Sequence, residues 1–308
     1  MKVAVTGATG TIGARLVEEL RARGDEVTVL SRDAERARRA FGGEVDAVTW
    51  ADPKSEPAPA EALSGREGVV HLLGEPIAQR WSDETKREIR DSRVLGTENL
   101  VRGIAAAEPR PKVLVSQSAE GIYPRGSEPV DESGSADPGT FLSDVVAAWE
   151  GEAAKASDLG LRVVRARTGV VLSPEGGALA TMLPFFKAGL GGPVAGGRQY
   201  VPWIHLDDTV GALLFCLDTE AASGPVNVTA PEPVTNKVLS KVLGRVLGRP
   251  AILPVPALGL KVLYGEMAQV VLTGANVRPR RLEELGYRFL RPELEPALRA
   301  ATGRESSA

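Results

Sequence analysis

Residues 6–13 read TGATGTIG, Thr6 to Gly13, and their reading decides the fold. They follow an apolar run, Val3, Ala4 and Val5, that fits a buried parallel strand. They precede Ala14 to Arg23, where Leu16, Val17 and Leu20 recur at helical spacing. Strand, glycine turn and helix together form the context in which such a motif binds a dinucleotide. Gly7, Gly10 and Gly13 leave out the side chains that would obstruct a tight turn, a close approach to a pyrophosphate and helix–strand packing. Unpaired N–H groups at the helix start then face the phosphate charge, with Thr9, Thr11 and Ile12 completing the candidate contacts. A purely structural glycine turn is the competing reading. Its place after the first strand of a βαβ unit favours the dinucleotide.

Working outward, strand-like and helical runs alternate through the first half of the chain. The strands expected are Lys2–Thr6, Glu26–Ser31, Asp46–Trp50, Gly68–Leu73, Lys112–Ser116 and Leu161–Arg167. The helices expected are Ile12–Arg23, Asp33–Phe41, Asp83–Ala107 and Phe141–Ser157. Such alternation predicts an α/β fold, a Rossmann-like doubly wound parallel sheet. After Leu172 the pattern changes. Glycine-rich stretches flank a helix carrying Met182, Leu183, Phe185 and Phe186; a helix over Asp207–Leu217 and a short strand over Val226–Val228 follow. From Thr235 short helices are punctuated by prolines. The division expected is residues 1–172 plus 203–230 for the nucleotide-binding part and 173–202 plus 231–302 for a smaller C-terminal substrate or lid domain. Residues 303–308 read as a tail, with Glu305–Ala308 frayed.

Composition narrows the function. The 308 residues are 43% hydrophobic, enough for a large core, and 40 acids against 37 bases leave a net charge of −3, with no basic footprint for nucleic acid. One cysteine, Cys216, leaves no internal disulfide and no thiolate metal cluster, and two histidines, His71 and His205, exclude a histidine-rich metal site. No metal is therefore expected. No run is long and apolar enough to span a bilayer, and the chain enters a strand at once, without a signal peptide. The expectation is a cytoplasmic protein with a small-molecule substrate and no nucleic-acid or membrane partner; its oligomeric state is not readable.

The second strand distinguishes the dinucleotides. NAD-binding versions of this fold hold the ribose 2′-hydroxyl with an acidic residue at that strand's end. Here the strand ends Val29-Leu30-Ser31-Arg32, a hydroxyl and a guanidinium. An arginine can pair a 2′-phosphate through two charge-assisted hydrogen bonds, which points to NADP(H). The alternative is that Arg32 opens a solvated helix with Arg36, Arg38 and Arg39 behind it.

With these residues read, TGATGTIG, the TENL of Thr97–Leu100 and WIHLDD at Trp203–Asp208 resemble the extended short-chain dehydrogenase/reductase superfamily. HLLGEPI (His71–Ile77), Trp81 with SRVLGT (Ser92–Thr97), RTGVVLS (Arg167–Ser173) and GLGGPVAGGRQYVPWIHLDD (Gly189–Asp208) resemble its NAD-dependent epimerase/dehydratase-like branch, the "epimerase family proteins". That branch's small C-terminal module is matched by Pro254–Pro256, Gly274 and RRLEELGYRFLRPELEPAL (Arg280–Leu298). The resemblance implies a cofactor pocket that extends to Ser31, Arg32, Leu72, Leu73, Glu88, Arg93 and Val171. Arg93 is placed to reach the pyrophosphate, or else forms a surface ion pair with Glu88 or Asp91.

The resemblance also raises a catalytic question. Ordinary members use a Ser with a Tyr and a Lys in YxxxK, where Tyr exchanges a proton with the substrate oxygen. Ser118, in SQSAEGIY, matches the Ser. Aligning Glu150 with the family's glutamate puts Leu142 and Val146 at the Tyr and Lys places, and neither transfers a proton. Tyr123, expected near the mouth of the cleft, is the candidate substitute phenol, or else a packed loop aromatic. Lys155, Glu75 and His71 are weaker candidates. Gln199 and Tyr200 are candidates for the substrate side, and His205 and Asp208 read as holding the two parts together. Two functions stay open: an NADP(H)-binding oxidoreductase or epimerase-like enzyme on an unknown small molecule, and a catalytically silent nucleotide-binding sensor.

Overall fold

A computed structural model describes residues 1–304; the expected fraying of Glu305–Ala308 lies outside the described residues. The first half alternates strand and helix: β1 (Lys2–Thr6), α1 (Thr11–Ala22), β2 (Glu26–Ser31), α2 (Ala34–Ala40), β3 (Asp46–Thr49), α3 (Ala60–Leu63), β4 (Gly68–His71), α4 (Asp83–Ala106) and β5 (Val113–Ala119). A short β6 (Pro129–Val130), then α5 (Phe141–Ala154) and β7 (Arg162–Thr168), complete this half. Seven parallel strands form the central sheet in the order β11-β7-β5-β4-β1-β2-β3, with β11 at Gly224–Val228. The sheet is doubly wound, as the sequence predicts.

The two-residue period of the strands explains why both faces are covered. Val3 and Val5 of β1, Val113 and Val115 of β5, and Val164 and Ala166 of β7 pack in one core with Leu16, Val17 and Leu20 of α1 and Val210 and Leu213 of α7 (Leu206–Asp218). The intervening Ala4, Leu114 and Val163 join the opposite core, with Leu100 and Ile104 of α4 and Leu63 of α3. Each such fully buried Val, Leu or Ile contributes about 1.5–3 kcal/mol.

Beyond β7 come β8 (Val170–Leu172), α6 (Gly177–Lys187), β9 (Tyr200–Val201) and β10 (Trp203–His205), then α7 and β11. After β12 (Val234–Thr235) follow α8 (Asn236–Leu247), α9 (Ala257–Tyr264), α10 (Ala268–Leu272), β13 (Asn276–Val277), α11 (Arg280–Glu284) and α12 (Leu294–Ala301). A third core joins Leu179, Leu183 and Phe186 of α6, Leu239, Leu243 and Val246 of α8, and Leu294 and Leu298 of α12.

Element edges differ from the sequence reading in telling places. β4 stops at His71, so Leu72 and Leu73 begin a loop; β5 runs three residues further, to Ala119, and carries Ser118 in the sheet, where it is paired with Arg167 of β7. The helix expected to continue to Ser157 ends at Ala154 and tightens into a 3-10 turn over Lys155–Leu159. No helix among the described residues is long and apolar enough to cross a membrane.

Candidate nucleotide-binding and active site

The carboxyl ends of β1, β2 and β4 meet around the glycine turn. Gly7 has φ +66°, a left-handed backbone that suits glycine, and a Cβ there would lie 2.6 Å from the Leu72 carbonyl oxygen. A Cβ on Gly13 would come within 2.7 Å of the Ala8 Cα, which is why α1 can pack so closely on the turn. Gly10 caps α1 without a side-chain hydrogen bond, and no acidic residue sits in the first turn. By contrast Asp33, Ser82 and Thr140 cap α2, α4 and α5 with their side chains. The N–H groups of α1 are therefore left for a ligand, with the helix dipole adding positive charge. Thr9 and Gly10 are exposed, and Thr11 and Ile12 half-buried. A Cβ on Gly176 would strike the Thr11 side chain, so the loop after β8 runs against the start of α1.

His71 underpins this turn. Its ring bonds Thr6 Oγ1 at 2.7 Å through Nδ1 and Thr97 Oγ1 at 3.0 Å through Nε2. Thr6 Oγ1 in turn accepts the Leu72 N–H at 3.2 Å. Fully buried, the imidazole has its pKa pulled down to about 3 by desolvation, so it is a neutral strut. It acts on Leu72 through Thr6 rather than as a base.

At the end of β2, Ser31 is half-buried and Arg32 exposed, with no carboxylate partner for the guanidinium among the described residues. Glu88 lies on the exposed side of α4, paired with Lys54 at 2.8 Å. Arg93, one turn on, makes neither ion pair considered for it: Asp91 pairs with Arg90, and Glu88 with Lys54. Instead Arg93 donates to the Ile89 carbonyl, lies 5.3 Å from the Trp149 ring centroid and approaches Gly74. Desolvation pulls its pKa down to about 10, against the opposing charge of Glu75. Val171, in β8, is half-buried beside Ile204.

Ser118 and Tyr123 belong to one buried network. Ser118 Oγ donates to Glu150 Oε1 at 2.6 Å. Arg167 grips the same carboxylate with Nε and Nη2 at 2.8 and 2.9 Å, and its Nη1 donates to the Tyr123 hydroxyl. Tyr123 donates to Asn227 Oδ1 at 2.7 Å. Burial works against the charge on Arg167, yet the bonds to Glu150 outweigh it and hold the guanidinium above its usual range. Tyr123 is thus not at the cleft mouth, as its place in the loop suggested. It is wholly buried, and desolvation pushes its pKa up to about 12. Its partner Asn227 is 104 residues away, a contact that spacing cannot reveal. The sequence allows Glu150 to be a helix-surface or a buried ion-pair carboxylate; its partner Arg167, on the neighbouring strand, is what spacing does not reveal.

The other candidates are committed elsewhere. Lys155, at the start of the 3-10 turn, pairs with Glu152 of α5. The Glu75 carboxylate accepts from Gln79. Gln199 donates to the Val194 and Val271 carbonyls, and Tyr200 is a strand residue paired with Thr235, so both brace the C-terminal part. His205 caps α7, while Asp208 receives the Leu290 and Arg291 N–H groups and the Tyr287 hydroxyl.

Residues 3–229 match the profile of the NAD dependent epimerase/dehydratase family. The chain belongs to that family. Residues 255–301 of this family member match a domain of unknown function, DUF1731. It is 43% identical over 303 residues to the chloroplastic epimerase family protein SDR39U1 homolog of Arabidopsis thaliana, spanning 97% of this chain and 86% of that one. It is 39% identical to epimerase family protein Mb2239 of Mycobacterium bovis, over 98% of each. The human epimerase family protein SDR39U1, crystallised with NADPH, superposes with a TM-score of 0.88 at 33% identity, over 99% of this epimerase-family chain and 100% of that one.

Proposed function

We propose that this protein binds NADP(H) and is an atypical short-chain dehydrogenase/reductase, an oxidoreductase or epimerase-like enzyme acting on a small molecule. The observation that carries the reading is the uncapped start of α1 behind Gly7, Gly10 and Gly13. The human relative crystallised with NADPH supports it. Backbone N–H groups of Thr11, Ile12 and Gly13 would hold the pyrophosphate, Ser31 and Arg32 the 2′-phosphate, and Leu72, Leu73 and Val171 the apolar faces. Arg93, a guanidinium without a carboxylate bond, would answer the remaining phosphate charge. Glu88, tied to Lys54, would sit at the rim. When bound, the nicotinamide supplies or accepts a hydride.

Ser118 spends its one hydroxyl proton on Glu150, which leaves a lone pair as what it can offer a substrate. That arrangement, with Leu142 and Val146 in the places of Tyr and Lys, supports a second reading. In it the bound nucleotide stabilises a surface for a partner and no chemistry follows.

Nicotinamide fluorescence titration with NADPH and NADH tests the first reading. NADPH should bind more tightly, and Arg32→Ala should weaken it roughly ten- to a hundredfold, as expected from one charge-assisted bond, and leave NADH unchanged. Equal or absent binding of both nucleotides overturns it. Turnover of carbonyls or quinones with NADPH that collapses in Ser118→Ala would exclude the silent reading.

A further inference from the structure

Outside the nucleotide site, six of the most exposed large hydrophobic side chains are gathered on one part of the surface, with Leu290 exposed elsewhere. Phe185 lies in the last turn of α6 and Leu190 just after it, Ile252 precedes α9, and Leu258, Val262 and Leu263 lie on α9; each is 57–78% exposed. The segments are neighbours. The Leu190 N–H bonds the Phe185 carbonyl, and the 192–197 stretch runs along 253–255 through Val255 N–H to Pro193 O and Ala195 N–H to Val255 O. Helix α9 has no fully buried side chain: Ala257, Leu260 and Tyr264 are half-buried, and the exposed Leu258, Lys261, Val262 and Leu263 form a ridge. It is fastened by its backbone: Arg80 donates to the Val262 carbonyl at 2.7 Å.

Charge runs the same way. Val234 to Gly265 contains five cations and no carboxylate, in a chain whose acids outnumber its bases. Lys187, Arg249 and Lys261 border or belong to the apolar ridge, are exposed, and make no ion pair among the described residues. A protruding apolar ridge flanked by unpaired cations is the pattern of an interfacial anchor. We infer that this face, centred on α9, docks on the surface of an anionic lipid bilayer. A second copy of the chain fits less well, because a two-fold contact would set cations against cations. A partner protein's helix would need a groove, and α9 presents a ridge. The inference departs from the expectation of no membrane partner. Spanning demands a long apolar helix, but docking demands only an apolar face and cations.

The test is flotation of the full-length protein with vesicles of phosphatidylcholine alone and with 30% phosphatidylglycerol. Binding should appear with the anionic vesicles and fall as salt is raised. The triple change Lys187→Ala, Arg249→Ala, Lys261→Ala should lower partitioning roughly a hundredfold. Leu258→Glu with Val262→Glu should abolish it. Neither set touches the nucleotide site, so unchanged NADPH titration and melting temperature certify the fold. Absence of binding to anionic vesicles overturns the inference, as does binding that the variants leave intact. So does a concentration-dependent dimer that Leu258→Glu dissolves, without vesicle binding.

Discussion

His71 illustrates how one side chain ties stability to pH. Its ring is neutral in the folded protein, with a pKa pulled down to about 3 by burial, whereas a histidine in the unfolded chain titrates near 6.5. Below pH 6.5 the unfolded state takes up a proton that the folded state refuses. Stability therefore falls as pH drops from about 6.5 toward 3, by roughly 1 kcal/mol per unit, and the group contributes no slope above that window. Urea unfolding at pH 7, 5.5 and 4.5 should show the loss, with a shallower dependence in His71→Gln. Equal dependence in both proteins would mean that other groups set it. Because Thr6 links His71 to Leu72, the same variant should also loosen the floor of the glycine turn.

Between elements, the decisive contact is Glu150 of α5 with Arg167 of β7, which anchors the helix to the sheet. Both side chains are buried, and Arg165, 3.4 Å from Glu150, only partly replaces Arg167, so removing one charge leaves the other poorly compensated. Arg167→Met should cost about 3–5 kcal/mol, and Arg167→Met with Glu150→Leu clearly less, which a double-mutant cycle in urea would measure. A double variant as unstable as the single one would mean that packing, rather than the ion pair, dominates. This contact also marks where sequence reading ran out. The glycine turn, the strand alternation and the Ser31-Arg32 end of β2 are local, set by residues within a few positions of one another. The Ser118–Glu150–Arg167–Tyr123–Asn227 chain joins five elements or loops, and nothing in its spacing announces it. Of the two readings of Tyr123, the packed loop aromatic agrees with the structure and the cleft-mouth phenol does not; its local setting is a loop, while its partners lie on β7 and β11. Helix ends differ because caps such as Asp33 and turns such as Lys155–Leu159 compete with the apolar periodicity.

At the scale of the whole molecule, Asp208 closes the structure. Its carboxylate is fully buried at the start of α7 and receives Leu290 N–H at 2.7 Å and Arg291 N–H at 2.8 Å. Tyr287, which also bonds it, stacks edge-on with Phe215 and Phe289. Asp208 thus gathers several donors of the C-terminal module onto one buried acceptor, beside other links such as Arg80 to the Val262 carbonyl and Asn227 to the Arg278 carbonyl. Asp208→Ala should destabilise the protein by about 3 kcal/mol through the orphaned donors, seen as a lower urea midpoint, while a surface change such as Glu284→Ala stays within about 0.5 kcal/mol. A midpoint that does not move would show the module held by its other contacts, among them the apolar core and the Asn227–Arg278 bond. The same clamp imposes an order in time. Leu290 lies 82 residues after Asp208. At roughly 5–20 residues per second of synthesis, the ribosome makes the acceptor about 4–16 s before its donors. During that interval the nascent nucleotide-binding half carries an unanswered carboxylate. Residues synthesised late, Leu290 and Arg291, are the ones that let the Asp208 carboxylate find its donors.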